Sequence, residues 1–160
     1  MPQDAHDQVL ITLRRIIQAI DIHSRSLKKQ SGLTTPQLLI MQAISKLGVV
    51  PIRALATQVN LSQATVTTII DRLEAHGLVS RERSQEDKRK VHALLTEQGR
   101  EVLAQAPEPM QAHFIKRFKE LPDWEKGMLV ASLQRLASLM NAPDVDDAFL
   151  EGDDASRPHF

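Results

Sequence analysis

The 160-residue chain contains no cysteine and no tyrosine, and it has only four phenylalanines and one tryptophan. The lack of cysteine excludes disulfide scaffolds, thiol redox sensing, cysteine-based zinc sites and cysteine nucleophiles. Because strands favour aromatic and β-branched residues, an aromatic content of 3% argues against a large all-β fold. Leu, Ile, Val and Ala must therefore fill the core.

Long hydrophobic runs are also missing. The longest uncharged stretch, residues 30–45, spans 16 residues and contains Gln, Ser, Thr and Pro, so it cannot cross a bilayer. The first residues, MPQDAHDQ, carry two acids and no base, unlike a signal peptide. With 42% apolar residues, the chain can bury the core of one domain, and we expect a cytoplasmic protein.

The formal net charge is zero, but the charges are unevenly distributed. Residues 141–160 contain six acids and one Arg, so this acidic tail has a net charge of −5 and is expected to be disordered. The preceding 140 residues hold the other 19 bases and 14 acids, a net charge of +5. A basic body is compatible with a polyanionic partner, although charge alone is a weak argument.

Apolar residues at steps of three and four predict helices over most of the chain. The pattern indicates a long helix over 9–27, closed by Gly32, and a second helix opened by Thr35 as N-cap with Pro36 at its first position and ended by Gly48. Two shorter helices follow at about 52–59 and 62–76, the latter capped by Ser62.

The pattern changes after Gly77. Residues 78–83 and 91–95 favour two strands of a hairpin with a polar, basic tip, and Thr96 can cap another helix. Pro107 and Pro109 interrupt the helical pattern, and a final helix runs from Leu121-Pro122-Asp123 to Pro143. We therefore expect a mainly α protein with a small β-hairpin wing: a winged helix-turn-helix over 36–96, with recognition helix 62–76 and wing 78–95.

This layout is suited to double-stranded DNA. A helix with small polar residues in its first turns can enter the major groove, its N-terminus favours phosphate, and a basic hairpin tip can enter the adjacent minor groove. The predicted DNA-contacting residues are Arg53, Ser62, Gln63, Ala64, Thr65, Thr67, Thr68, Arg72, Lys88, Arg89 and Lys90.

Three stretches resemble the MarR family of bacterial transcription regulators. They are LTTPQLLIMQAI at 33–44, LATQVNLSQATVTTIIDRLEAHGLVSR at 55–81 and DKRKVHALLTEQGREVL at 87–103, and the likeness extends over about 7–140. The resemblance implies a homodimer joined by its N- and C-terminal helices, here 7–30 and 97–140. It also implies that Arg89 enters the minor groove and that Asp87 orients the wing by pairing with a basic residue, for which Arg81 and Arg83 are candidates.

The two terminal regions carry apolar stripes that support dimerisation independently. A monomer would leave them as an exposed patch larger than soluble monomers tolerate. The stripe residues are Leu10, Leu13, Ile17, Ile20, Leu129, Leu133, Leu136 and Met140.

Small-molecule and metal sites are weakly indicated. The family places effector pockets near His23 and Met41, but a hydrogen-bonded His and a core Met are the commoner outcomes at such positions. The six His residues form no His-x-x-x-His pair, so we expect no metal and no cofactor. With no phosphate loop and no carboxylate pair beside a His, we expect no enzyme.

Within the family, residues 14–39 and the tail segment APDVDDAFLEGD at 142–153 resemble regulators of ectoine-type compatible-solute synthesis. The hypothesis from sequence is thus a homodimeric repressor on a pseudo-palindromic operator, with a small-molecule or ionic effector and osmolyte genes as targets. The alternatives are a winged-helix protein-interaction module and a nonspecific DNA-binding protein.

Overall fold

The structure, a computed structural model, describes residues 4–143, which form a mainly helical chain with one two-stranded hairpin. Its elements are α1 Ala5–Ser31, α2 Thr35–Leu47, α3 Ile52–Val59, α4 Gln63–Ala75, β1 Val79–Arg83, β2 Val91–Leu95, α5 Glu97–Gln105, α6 Met110–Lys119 and α7 Asp123–Leu139. The predicted fold class is confirmed. Within the described range no helix is long and apolar enough to cross a membrane. The predicted acidic tail lies outside the described residues from position 144 onwards.

Local capping explains where the helices begin. Thr34, not Thr35, is the N-cap of α2: its hydroxyl accepts a hydrogen bond from the Gln37 backbone, and the Gln37 side chain accepts one from the Thr34 backbone. This reciprocal pairing satisfies two amides that would otherwise lack partners, which a Thr35 cap would not do. Ser62 caps α4 as predicted, since its hydroxyl accepts from the Thr65 backbone amide at 3.1 Å.

The last helix ends earlier than predicted. α7 ends at Leu139, Met140 is its C-cap, and Asn141 has a positive φ of 51°. Asn tolerates this left-handed conformation better than most residues, so the backbone leaves the helix before Pro143 is reached.

The core lies between the end of α1, helices α2 to α4 and the hairpin. Every buried hydrophobic residue of the described chain falls between positions 27 and 93, and α6 and α7 contribute none. The largest fully buried side chains are Leu27, Leu33, Leu38, Ile40, Met41, Leu55, Val66, Ile70, Leu73 and Val79. The central part of the chain therefore has its own core, and we call it the DNA lobe (residues 33–95).

The hairpin is part of the DNA lobe, and β2 joins it to the segment before α3. β1 and β2 pair antiparallel from Val79 opposite Leu95 to Arg83 opposite Val91, and His92 forms a further antiparallel bridge with Pro51 before α3. His92 lies opposite Glu82, close to the tip end of the paired strands, so the bridge joins the outer part of the hairpin to the segment before α3.

A close junction links the wing to α5. The Thr96 hydroxyl donates to the Gly77 carbonyl at 2.7 Å and accepts from the Gly99 amide at 3.0 Å, while the Thr96 amide donates to the Leu78 carbonyl at 3.1 Å. A Cβ atom on Gly99 would lie only 2.0 Å from the Leu78 oxygen. Only glycine fits at this position without displacing backbone.

We expect Gly99→Ala to lower the free energy of unfolding by about 1–3 kcal/mol, because the added methyl group overpacks the junction. The matched control is Gly127→Ala in α7, where a Cβ meets nothing within 4 Å. That change should be neutral or stabilise by up to about 1 kcal/mol, since Ala is the better helix former. Urea unfolding of both variants measures the difference, and equal stability of the two would contradict the close approach.

Candidate DNA-binding surface

Helix α4 separates a buried face from a polar outward face. Val66, Ile69, Ile70 and Leu73 are buried. The outward face consists of Gln63, Ala64, Thr67 and Thr68, with Ser62 exposed just before the helix. We call these four helical residues the α4 outward face. Small side chains allow such a face to approach a groove closely.

Thr65 does not belong to this face, and its predicted DNA contact is wrong. Its side chain is only 3% exposed, and its hydroxyl lies 2.9 Å from the Ser62 hydroxyl. Thr65 precedes buried Ile69 by four residues and Leu73 by eight, so helical periodicity places all three on the core side. That spacing was available in the sequence.

The two remaining threonines are held by the helix backbone. The Thr67 hydroxyl donates to the Gln63 carbonyl at 2.8 Å, and the Thr68 hydroxyl donates to the Ala64 carbonyl at 3.1 Å. Such bonds to the residue four positions earlier fix the side-chain rotamer. Arg72, one turn later, is half-buried.

The wing tip is strongly exposed and basic. The Arg89 side chain is 95% exposed, and Lys88 and Lys90 beside it are also exposed. Asp87 organises the tip locally: its carboxylate accepts from the Arg89 backbone amide at 3.1 Å and lies 3.5 Å from Arg89 Nε, and its own amide donates to the Ser84 hydroxyl. The backbone of the tip is thereby fixed while the Arg89 guanidinium remains in solvent.

The prediction that Asp87 pairs with Arg81 or Arg83 is wrong. Arg81 instead forms an ion pair with Asp71 of α4, and its Nε lies 3.6 Å from the Glu74 carboxylate. Arg83 is exposed on β1 and makes no ion pair with Asp87 within the described residues. Asp87 is occupied by the turn at the tip, whereas Arg81 lies at mid-strand opposite Ala93, beside α4.

The Arg81 contact holds the wing against α4. Asp71 and Glu74 are three residues apart, which places them on one side of a helix and gives Arg81 two carboxylates. The pair also neutralises Asp71, which lies one turn beyond Thr67 and would otherwise leave an unpaired negative charge beside the α4 outward face.

Arg53 occupies the first turn of α3 and is exposed. It therefore remains available to a phosphate. The structure thus leaves Arg53, Ser62, Gln63, Ala64, Thr67, Thr68 and the three basic residues of the wing tip accessible on the DNA lobe, with Arg72 partly so.

The predicted effector-pocket residues do not form a pocket together. Met41 is fully buried in the core, so it lines no open site. His23 is half-buried, and its Nε2 accepts a hydrogen bond from the Met110 backbone amide at 2.9 Å. His23 therefore caps the start of α6, a contact that joins positions 87 residues apart and that no local pattern predicts.

The start of α1 brings Asp4, His6 and Asp7 together, with possible ligand atoms within 4.8 Å of one another. All three residues are exposed, so water competes for every coordination position. We propose no metal centre there.

The apolar stripes of the outer helices face solvent within a single chain. The most exposed stripe residues are Ile17 at 56%, Leu133 at 55%, Met140 at 51% and Ile20 at 50%. Leu10 is 38% exposed, and Leu13, Leu129 and Leu136 are half-buried. Residues 4–143 of the same chain therefore leave about half of the surface of Ile17, Ile20, Leu133 and Met140 uncovered.

A double-mutant cycle tests the Arg81 contact. We expect Asp71→Ala and Arg81→Ala to couple by about 0.5–3 kcal/mol in unfolding free energy, because the residues touch and Arg81 is largely buried. The exposed Asp21–Arg25 pair on α1 is the matched control and should couple by only about 0.3–0.5 kcal/mol. Additive effects of Asp71→Ala and Arg81→Ala would contradict the contact.

The part of the chain that carries this surface is similar to known proteins. The sequence model of the MarR family matches residues 33–91, which is almost the whole DNA lobe. The HTH-type transcriptional regulator FarR of Neisseria gonorrhoeae is 28% identical over 142 residues, covering 89% of this chain and 95% of FarR.

Two solved structures share the fold of this chain. A MepR-like protein complexed with pseudoligands superimposes with a TM-score of 0.60 at 25% identity, covering 86% of this chain and 97% of its own. FabT of Streptococcus pneumoniae, solved in complex with DNA, shares the fold with a TM-score of 0.55 at 22% identity, covering 85% and 97% of the two chains. The relatives are named as HTH-type transcriptional regulators, and residues 33–91 of this chain match the sequence model of the MarR family.

Proposed function

We propose that the chain binds a specific double-stranded DNA operator as a homodimer and acts as a repressor. The observation that carries this proposal is the pairing of two different surfaces on the DNA lobe. The α4 outward face is small and polar, and the adjacent wing tip carries Arg89 with 95% of its side chain in solvent.

The two surfaces fit the two grooves of B-DNA. Gln63, Ala64, Thr67 and Thr68 enter the major groove and contact base edges, and Ser62 and the start of α4 lie against phosphate. Arg89 enters the adjacent minor groove, whose negative potential attracts arginine. Arg53, Arg72, Lys88 and Lys90 supply phosphate contacts. FabT, which has the same fold, was solved with DNA, and this supports the proposed use of the fold.

Arg89→Ala tests the wing. The variant should lose roughly 1–3 kcal/mol of operator-binding free energy per subunit, because a cationic contact in the minor groove is removed. The slope of log affinity against log salt concentration should also become shallower by about 1 per subunit. Arg25→Ala, which removes an exposed charge from α1, is the matched control and should bind as the wild type does. Fluorescence anisotropy with labelled duplex measures both quantities. Unchanged affinity of the Arg89 variant would sink the wing assignment.

The homodimer is proposed from the uncovered apolar stripes on α1 and α7. Pairing about a two-fold axis would bury them and set two recognition helices about one DNA turn, roughly 34 Å, apart. A pseudo-palindromic operator matches that symmetry, and a dimer occupying a promoter blocks transcription. Repression is therefore the simplest consequence of tight binding.

Charged substitutions in the stripe test dimerisation. Ile17→Asp and Leu133→Asp should yield monomers in sedimentation, because a carboxylate in a dry interface is costly. Val49→Asp is the control, since Val49 is 65% exposed but lies on the DNA lobe outside the stripe. A wild-type protein that sediments as a folded monomer at micromolar concentration would contradict the homodimer.

We also propose that the targets are osmolyte genes, on the ectoine-type resemblance of residues 14–39 and 142–153. Ionic strength itself is then a sufficient signal. If a dimer neutralises about 8 phosphates, the log–log dependence of binding on salt has a slope of about −7, and doubling the salt weakens binding by roughly a hundredfold. The anisotropy titration at several potassium concentrations measures this slope. A slope shallower than about −3 would contradict direct salt sensing and favour a bound small molecule.

A further inference from the structure

The α4 outward face carries methyl groups and no positive charge. Residues 63–70, the first two turns of α4, read QATVTTII and contain neither Lys nor Arg. The commonest specific contact in the major groove, a bidentate bond from Arg or Lys to guanine O6 and N7, is therefore unavailable from these two turns. What the face offers is the amide of Gln63, the methyl of Ala64 and the two threonine side chains.

The threonine hydroxyls have a fixed polarity. Each hydroxyl proton is used by a backbone carbonyl, that of Gln63 for Thr67 and that of Ala64 for Thr68. A free threonine hydroxyl can serve as donor or acceptor. Here each Oγ1 keeps only acceptor lone pairs, and each methyl group is held in one orientation relative to the helix.

This combination matches one kind of base pair. In the major groove adenine presents the N6 amino donor and thymine presents its C5 methyl, so an A·T pair offers a partner to an acceptor oxygen and a partner to a methyl group. A G·C pair also offers one amino donor, on cytosine, and two acceptors, so the thymine methyl is what distinguishes an A·T pair for this face. Gln63 adds the standard bidentate contact to adenine.

We propose that α4 recognises thymine methyl groups, so that the base pairs beneath its first two turns are A·T pairs selected by Ala64, Thr67 and Thr68. This inference rests on the proposed DNA-binding function and specifies its substrate. Thr67 and Thr68 are the specificity-determining residues, and the bonds to Gln63 and Ala64 hold them in the acceptor state.

Deoxyuridine, which is thymidine without the C5 methyl, isolates the methyl contact. Duplexes are first selected from a random library by the wild-type protein. Each thymine of the enriched half-site is then replaced in turn by deoxyuridine, and affinity is measured by anisotropy. At the contacted thymines we expect affinity to fall about fourfold per methyl removed, the value for withdrawing one methyl-sized group from an apolar contact.

Two variants of Thr67 separate the contribution of its methyl group to DNA recognition from that of its hydroxyl group. Thr67→Ser keeps the hydroxyl and removes the methyl. At the base that Thr67 contacts, the ratio of the affinity for the thymine duplex to that for the deoxyuridine duplex should therefore fall to about one. Thr67→Val keeps the methyl and should retain that ratio while losing discrimination for adenine. The control is Thr57→Ser on α3, whose hydroxyl makes the same bond to a carbonyl four residues earlier, at 3.2 Å, but which is not part of α4. It should leave every ratio unchanged.

The possible results distinguish a failure of thymine-methyl recognition from a failure of the proposed operator binding. An enriched operator in which no thymine is sensitive to deoxyuridine, or in which the bases beneath α4 are G·C pairs, overturns methyl recognition and leaves the regulator assignment standing. A ratio that persists in Thr67→Ser overturns the role of Thr67. A protein that enriches no sequence at all overturns both the proposed operator binding and this inference.

Discussion

The position of α5 relative to the wing depends on the close approach of the Leu78 carbonyl to the backbone of Gly99. The end of α4, the start of β1 and the first turn of α5 meet there, held by three hydrogen bonds around Thr96. Because no side chain fits between them, a rotation of α5 must carry the base of the wing and the end of α4 with it. Helix α5 and the DNA lobe therefore meet at a close junction, although the buried core lies almost entirely on the lobe's side of it.

Much of the fold could be predicted from the sequence because it is determined locally. The caps at Ser62 and Thr96 and the glycines after α1 and α2 set element boundaries through contacts within a few residues. Apolar spacing placed the helices, and the change of pattern after Gly77, with a polar segment between two short runs, placed the hairpin. The error at Thr34 arose because two adjacent threonines are equally good caps, and only the side chain of Gln37 decides between them.

The candidate site was less predictable where contacts are long-range. Arg81 chooses Asp71 over Asp87 because β1 runs beside α4, which becomes visible only when the strand register is known. The bond from Met110 to His23 joins α6 to α1 across the chain and has no local signature. Thr65 is different, because its burial followed from the positions of Ile69 and Leu73. It was predicted to contact DNA only because small polar residues suit the first turn of a helix that enters the major groove.

The separation between the buried core, at positions 27 to 93, and the exposed stripes of α1 and α7 has a genetic consequence. Substitutions on the α4 outward face change neither the core nor the stripes, so in the proposed homodimer the altered subunit would still fold and still pair. In a cell with both alleles, mixed dimers would hold one competent lobe and one incompetent lobe, and they would withdraw wild-type subunits from the operator. Such alleles are expected to be dominant-negative, whereas alleles that disrupt the core or the stripes are expected to be recessive.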